Sequence, residues 1–239
     1  MRKFYETNYF FIRRLHGLLG IIPIGAFFLV HMLLNSRALQ SREAYQWVPD
    51  TMDQVPFIWA IEWGFIMLPI AFHAILGIFI VYWGSLNAHK PALSFYANWA
   101  YVFQRVTGVL LFVLLPIHLL QTYFVKVAAH RYGQHYDIYG TMHELFTNNA
   151  VWVVIYIVFV LVAAYHLANG IFNFTYKWGI TTSKLSQRWA IGIGMLIAAV
   201  GLFLGLASMC GLNWSEHAQF IQPTEVSETA EFGSVSSRE

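Results

Sequence analysis

The feature that most constrains this chain is a set of five long windows that contain no Asp, Glu, Lys or Arg. They cover residues 15–36, 63–89, 106–125, 145–176 and 189–215. Each window reaches the roughly 20 residues that an α-helix needs to cross a bilayer, and charges are rare in such segments because they are costly at the bilayer centre. The sequence therefore predicts an all-α integral membrane protein with five transmembrane helices.

We name the five predicted helices spans I to V. They are placed at about residues 15–36, 60–87, 104–126, 148–176 and 188–212, within a single transmembrane domain of residues 1–212. The intervening segment 91–104 begins with proline and contains Asn98 and Gln104, so we interpret it as a connecting loop. Residues 213–239 are polar and acidic, which predicts a disordered tail.

The charges that flank the spans differ between the two sides. One side comprises residues 1–14, 90–105 and 177–188 and holds nine Lys and Arg against one acid. The other comprises residues 37–62, 126–144 and 216–239 and holds five Lys and Arg against eleven acids. We call these the basic end and the acidic end. Because basic flanks stay in the cytoplasm, we expect the N-terminus inside and the C-terminus outside.

Spans I to IV each contain one histidine, namely His31, His73, His118 and His166. An ionisable group inside a membrane has to be neutral, paired or bound to metal. At about 1.5 Å per residue, His31 and His118 lie roughly 9–12 Å from the acidic flank, whereas His73 and His166 lie roughly 25 Å from it. The depths define an outer pair, His31 with His118, and an inner pair, His73 with His166. Two imidazoles at one depth on different helices suit a flat macrocycle with two axial ligands.

Haem ligation is one of several possible roles for these four histidines. Any one of them, taken alone, is equally typical of a core imidazole that donates to a neighbouring carbonyl. A di-iron site needs several carboxylates, a zinc or copper site needs its ligands at one depth, and a transporter is expected to carry a charged residue at mid-depth. The single cysteine, Cys210, excludes covalent haem attachment through C-x-x-C-H. Two bis-histidine haems b are the simplest interpretation, with the bundle of spans I to IV holding them.

Motifs between Tyr9 and Gly211 carry a family resemblance. They are Phe11-Ile12-Arg13-Arg14-Leu15-His16, Gly20-Ile21-Ile22-Pro23, Met52-Asp53-Gln54-Val55-Pro56-Phe57, Leu68-Pro69-Ile70-Ala71-Phe72-His73-Ala74-Ile75-Leu76-Gly77, Phe103-Gln104-Arg105-Val106-Thr107-Gly108, His166-Leu167-Ala168-Asn169-Gly170 and Trp178-Gly179-Ile180-Thr181. Because these motifs occur in this order, the chain resembles the dihaem cytochrome b membrane-anchor subunit of succinate:quinone oxidoreductases (complex II). The likeness is to the single-polypeptide, five-helix type of menaquinone-linked succinate dehydrogenases and fumarate reductases.

The resemblance implies a function and a set of partners. The chain would anchor a flavoprotein subunit and an iron-sulfur subunit on the cytoplasmic face of a prokaryotic membrane. It would pass electrons between the iron-sulfur subunit and menaquinone through two haems b, and it would hold no dicarboxylate site and bind no nucleic acid. The family's axial ligands match the two pairs above. Some members carry a glutamate for proton movement two residues before the span IV ligand, where this chain has Ala164.

Two further groups of polar residues lie outside these pairs. Arg13, Arg14, His16 and Arg105 stand at the basic end, where they serve either as cytoplasmic anchors or as partners of the inner haem's propionates. The other five histidines, His89, His130, His135, His143 and His217, are interpreted as solvated loop residues.

Quinone reduction is expected near the outer pair, because an outer haem serves a cytoplasmic succinate oxidiser only if electrons leave there. Asp53 and Glu62 precede span II and are candidates for delivering protons to menaquinone. The simpler interpretations are a cap or turn for Asp53 and an interfacial acid for Glu62. Two other functions stay open from the residues alone: a dihaem cytochrome b subunit of a hydrogenase or formate dehydrogenase, and a haem-free membrane transporter or scaffold.

Overall fold

The computed structural model describes residues 2–84 and 96–218. Within these ranges all regular secondary structure is helical, and five helices are long and apolar enough to cross a membrane. They cover Tyr9–Leu39, Ile58–Trp83, Asn98–Arg131, Ala150–Lys177 and Lys184–Asn213. The fold is that of an all-α integral membrane protein, which confirms the prediction of fold class.

Three of the spans contain irregular turns. Span I has a π-helical turn at Gly20–Gly25, which contains Pro23, and ends in a 3₁₀ turn at Ser36–Leu39. Because proline lacks a backbone N–H, it interrupts the regular α-helical ladder at this point. Span II has a second π-helical turn at Glu62–Met67. Span III is broken at Thr122 into Tyr96–Gln121 and Tyr123–Arg131.

Two short helices cover the acidic end of the bundle, Arg42–Met52 and Ile138–Asn148. Each begins at a side-chain cap: the Ser41 hydroxyl accepts from the Ala44 amide, and the Asp137 carboxylate accepts from the Gly140 amide. Together with spans I, IV and V these helices form a buried cluster. Its members are Ala38, Tyr45, Tyr139, Met142, Phe146, Tyr156, Met209 and Leu212.

Span III begins earlier than predicted, because residues 96–104 are helical rather than part of a loop. The Gln104 side chain and the Ala100 carbonyl in this segment bond to span IV. The Gln104 amide donates to the His166 carbonyl at 3.1 Å, and Asn169 donates to the Ala100 carbonyl at 3.0 Å and to Gln104 Oε1 at 2.8 Å. Gln104, one of the side chains that argued for a loop, is instead hydrogen-bonded between two transmembrane helices.

Span V also continues beyond its predicted end at residue 212, because the helix Lys184–Ala218 includes the start of the predicted tail and His217. His143, predicted to be solvated in a loop, lies on Ile138–Asn148 and donates from Nδ1 to the Leu212 carbonyl at 2.6 Å. This bond ties the end of span V to the short helix. His89 and residues 219–239 lie outside the described ranges.

Span IV is central to the bundle, packing against spans I, III and V. Gly194 allows span V to approach it closely, since a Cβ at this position would lie 2.6 Å from the Ala168 carbonyl oxygen. A Cβ at Gly192, on the same helix, would have no neighbour within 4 Å. Close backbone approach through small residues is typical of helix packing in membranes.

We expect Gly194→Ala to destabilise the protein by about 1–3 kcal/mol, because the new methyl group overlaps backbone atoms that cannot rotate away. The matched control is Gly192→Ala, which brings the same change in helix propensity without a contact. The midpoint of thermal unfolding in detergent, followed by tryptophan fluorescence, should fall only for Gly194→Ala. Equal midpoints for the two variants would contradict the close approach.

Candidate functional site

The four histidines inside the spans meet in two pairs. The ring centroids of His31 and His118 are 5.9 Å apart, with an angle of 76° between the ring planes. The centroids of His73 and His166 are 6.1 Å apart, with an angle of 81°. At a metal–nitrogen bond of about 2 Å, two imidazoles on opposite sides of one ion have ring centres about 6 Å apart. Both pairs therefore have the spacing of imidazoles that share a metal ion.

The inner pair is held by hydrogen bonds from the Nδ1 atoms. His73 donates from Nδ1 to the backbone carbonyl of His16 at 2.9 Å. His166 Nδ1 lies 3.0 Å from the hydroxyl oxygen of Thr107, and that hydroxyl gives its hydrogen to the Phe103 carbonyl at 2.7 Å. The Thr107 oxygen can then only accept, so the His166 Nδ1–H is the donor.

The same reasoning applies to His118 in the outer pair. Its Nδ1 lies 3.2 Å from the Tyr156 hydroxyl, which donates to Gln121 Oε1 at 2.9 Å. His118 is therefore the donor to Tyr156. A neutral imidazole that donates from Nδ1 carries its lone pair on Nε2. Ligating histidines usually donate their second ring N–H to an oxygen in this way, so three of the four imidazoles offer Nε2 as a metal ligand.

His31 has a different environment. Its Nδ1 is 3.3 Å from the Asn35 amide nitrogen, which also donates to the His31 carbonyl at 2.7 Å. The Asn35 carbonyl oxygen accepts from the Tyr45 hydroxyl at 2.8 Å. Burial raises the pKa of Tyr45 above its ordinary value, so the hydroxyl keeps its proton and remains a donor. A chain of side chains thus connects the short helix Arg42–Met52 to the outer pair.

His16 lies beside the inner pair. Its ring stacks on that of His73, with centroids 3.8 Å apart, and its Nδ1 donates to the His73 carbonyl at 3.0 Å. The two residues thus exchange hydrogen bonds between spans I and II. A Cβ at Gly20 would lie 2.6 Å from His73 Cε1, and a Cβ at Gly108 would lie 3.2 Å from His166 Cε1. A side chain at position 20 would overlap the His73 ring, whereas one at position 108 would only press on the His166 ring.

Sequence reasoning missed several of these supporting residues. Thr107 and Tyr156 are ordinary span residues in the sequence, and only the packing of spans III and IV brings each to a histidine. A signal for Gly20 did exist, since His16 and Gly20 have the same four-residue spacing as His73 and Gly77.

The candidate propionate partners at the basic end do not form one cluster. Arg105 is buried and donates to the Tyr101 hydroxyl and, at 3.2 Å, to the Ile80 carbonyl. Arg13 donates to the same hydroxyl at 3.5 Å. Arg14 is exposed and lies over the Trp178 ring, 5.7 Å from its centroid. The structure brings Arg13 and Arg105 together and directs Arg14 elsewhere.

Asp53 and Glu62 come together at the acidic end through a residue that the sequence did not single out. Lys126 Nζ is 2.9 Å from Asp53 Oδ1 and 3.0 Å from Glu62 Oε1. His130, predicted to be a solvated loop residue, lies on the helix Tyr123–Arg131, and its Nε2 is 3.0 Å from Asp53 Oδ2. His135 remains exposed and pairs with Asp50.

Comparison with known proteins gives two results. A family model described as the transmembrane subunit of succinate dehydrogenase/fumarate reductase matches residues 84–206. The chain is also 33% identical over 201 residues to the succinate dehydrogenase cytochrome b558 subunit of Bacillus subtilis (strain 168), a match that covers 84% of this chain and 95% of that relative. This chain therefore belongs to the family of succinate dehydrogenase/fumarate reductase transmembrane subunits.

Proposed function

We propose that this protein is the cytochrome b membrane anchor of a succinate:quinone oxidoreductase. In this role it transfers electrons between an iron-sulfur subunit and menaquinone through two bis-histidine haems b. Family membership favours this function over a hydrogenase or formate dehydrogenase subunit and over a haem-free transporter or scaffold. The observation that carries the proposal is the presence of two imidazole pairs at metal-sharing distance, most of them donating from Nδ1.

The residues fit the group that they would hold. His73, His166 and His118 offer Nε2 as a ligand, and the His31 ring lies opposite His118. The described part of the chain contains no group of three or more His, Cys, Asp or Glu that could hold a bare metal ion. A ligand set of two imidazoles is completed by the four nitrogens of a porphyrin. His31 and His118 would hold the outer haem, and His73 and His166 the inner one. When bound, the haems supply one-electron transfer along the bundle.

The basic end of the bundle would face the cytoplasm and receive the flavoprotein and iron-sulfur subunits. Its flanking segments hold nine Lys and Arg against one acid, which favours a cytoplasmic position. Arg13 and Arg105 meet at the Tyr101 hydroxyl, so their guanidinium groups can bind carboxylates such as haem propionates at this end. His16 would orient His73 by stacking and by accepting its Nδ1–H.

The menaquinone site would lie at the acidic end. Lys126 follows His118 by eight residues, which is about 12 Å along span III, and it holds both Asp53 and Glu62. The two carboxylates are therefore separated from the outer pair only by the outer segment of span III. Reduction of a quinone takes up two protons, and a positioned carboxyl group can deliver them by general acid catalysis.

The direct test of this function is purification of the chain from membranes of its natural host. We expect two protohaems per chain, with absorption in the reduced-minus-oxidised α-band, and a copurifying flavoprotein that oxidises succinate with an artificial acceptor. A chain without haem would contradict the cytochrome function. Haem together with a hydrogenase or formate dehydrogenase activity would favour the alternative electron-transfer function.

Substitution of the histidines should separate the two haems. His31→Leu and His118→Leu should each remove one haem component, and His73→Leu and His166→Leu should each remove the other, because each haem would lose one of the two histidines that would hold it. Potentiometric titration of the α-band measures both components. His135→Leu, at an exposed histidine outside both pairs, is the matched control and should retain both. Loss of the same component in His31→Leu and His73→Leu would contradict the pairing.

Substitution of the carboxylates should affect only the quinone reaction. Asp53→Asn and Glu62→Gln in the assembled complex should each lower quinone-linked turnover by about 10²-fold, as expected for loss of a general acid. Both haems and succinate oxidation with an artificial acceptor should persist. Glu43→Gln, at an exposed acid on the neighbouring short helix, is the control. Unchanged quinone reduction in both variants, or an inhibitor bound beside the inner pair, would contradict this placement.

A further inference from the structure

Four titratable side chains form a continuous chain of close contacts at the acidic end. His130 Nε2 is 3.0 Å from Asp53 Oδ2, and the other oxygen of that carboxylate, Oδ1, is 2.9 Å from Lys126 Nζ. Lys126 Nζ is in turn 3.0 Å from Glu62 Oε1. Asp53 thus uses its two oxygens for two different partners, and Lys126 uses two of its three donors for two different carboxylates. Each contact is short enough for a proton to pass along it.

The first two members of this relay are more exposed to solvent than the last two. The side chain of His130 is 44% exposed and that of Asp53 is 28% exposed, whereas those of Lys126 and Glu62 are 12% and 14% exposed. The chain therefore begins in water and ends at the start of span II. The partly exposed His130–Asp53 contact is expected to contribute little to stability.

We propose that His130, Asp53, Lys126 and Glu62 form a proton path that supplies the quinone site from the aqueous phase at the acidic end. This inference rests on the proposed quinone site and adds its route of proton uptake. A proton enters at the exposed His130 imidazole and passes through the Asp53 carboxylate to Lys126. Lys126 hands a proton to Glu62, and Glu62 gives it to a quinone oxygen.

Electrons and protons balance in the overall reaction. Two electrons that originate from succinate and two protons from water convert one quinone to one quinol. After each transfer Glu62 is again a carboxylate, Lys126 is reprotonated through Asp53, and His130 regains its proton from solvent. Of the four groups, His130, Asp53 and Lys126 relay the proton in this proposal, and Glu62 donates it to the quinone.

A second acid–histidine pair lies near these four side chains and is separate from them. His135 pairs with Asp50 through an Nε2–Oδ1 contact of 3.0 Å, which is the same kind of pair as that of His130 with Asp53. Asp50 also accepts from Gln46 at 2.9 Å. Among the residues that the structure describes, this second pair forms no hydrogen bond or ion pair with Lys126 or Glu62. His135 is therefore a natural control for His130.

The first experiment uses His130→Gln in the assembled complex. Glutamine keeps a donor for Asp53 but cannot carry a proton, so quinone-linked turnover should fall by about tenfold, less than for loss of the terminal acid because water still reaches Asp53. Added imidazole should restore the rate, since a small diffusible base can replace the lost relay. His135→Gln should turn over normally, and imidazole should leave the wild-type rate unchanged. A normal rate in His130→Gln, or a slow rate that imidazole does not restore, would overturn the proposal.

The second experiment separates proton transfer from charge pairing at Lys126. Lys126→Arg keeps a positive charge that can hold both carboxylates, but a guanidinium group is always protonated and cannot relay a proton. Lys126→Met removes the charge and the donors together. We expect both variants to lose quinone-linked turnover to a similar extent while both haems remain. A functional Lys126→Arg would show that Lys126 only pairs charges, and it would overturn the relay.

The outcome also distinguishes failure of the path from failure of the proposed site. If Asp53→Asn and Glu62→Gln leave quinone reduction unchanged, the quinone site itself is elsewhere and the path falls with it. If those two variants are slow but His130→Gln and Lys126→Arg are normal, the site stands and only the path is wrong.

Discussion

An imidazole buried in a membrane has to place its N–H on an acceptor, because the bilayer interior has no water to satisfy it. The inner half of this bundle is arranged around that requirement. His16 and His73 each donate to the other's backbone carbonyl, which joins spans I and II. His166 donates to Thr107, which joins spans III and IV. The bonds that satisfy the rings also fix which nitrogen remains available to a metal.

Glycine makes these contacts possible. The His73 ring lies where a side chain at position 20 would be, and the His166 ring lies in tight contact with position 108. At the other interface of span IV, Gly194 brings span V close to the Ala168 carbonyl. Because little hydrophobic force drives helices together within lipid, close packing and interhelical hydrogen bonds take over that role. Gly20 and Gly108 thus leave space beside the imidazoles, whereas Gly194 lets two helices pack closely.

The two ends of the bundle differ in how they hold charge. At the basic end, guanidinium groups lie over aromatic rings, as Arg13 does over Tyr9 and Arg105 over Tyr101. A guanidinium positioned in this way keeps in-plane donors that suit an anionic group. At the acidic end, an ammonium lies between two carboxylates, and one of these carboxylates continues to an exposed imidazole. Arginine side chains at the first end therefore pack on aromatic rings, whereas the lysine at the second end is paired with two acids.

The sequence by itself determined the five spans and the basic and acidic ends. A charged residue is costly in lipid, so stretches without charges mark the spans and the flanking charges distinguish the two ends. Depth counting also assigned the histidines to the pairs that the structure brings together, since rise per residue is nearly constant along a helix. It did not determine the start of span III, where Asn169 of span IV donates to Gln104, nor the partners Thr107, Tyr156, Lys126 and His130. Those contacts depend on the rotation of each helix about its axis, and only packing against neighbouring helices decides that rotation.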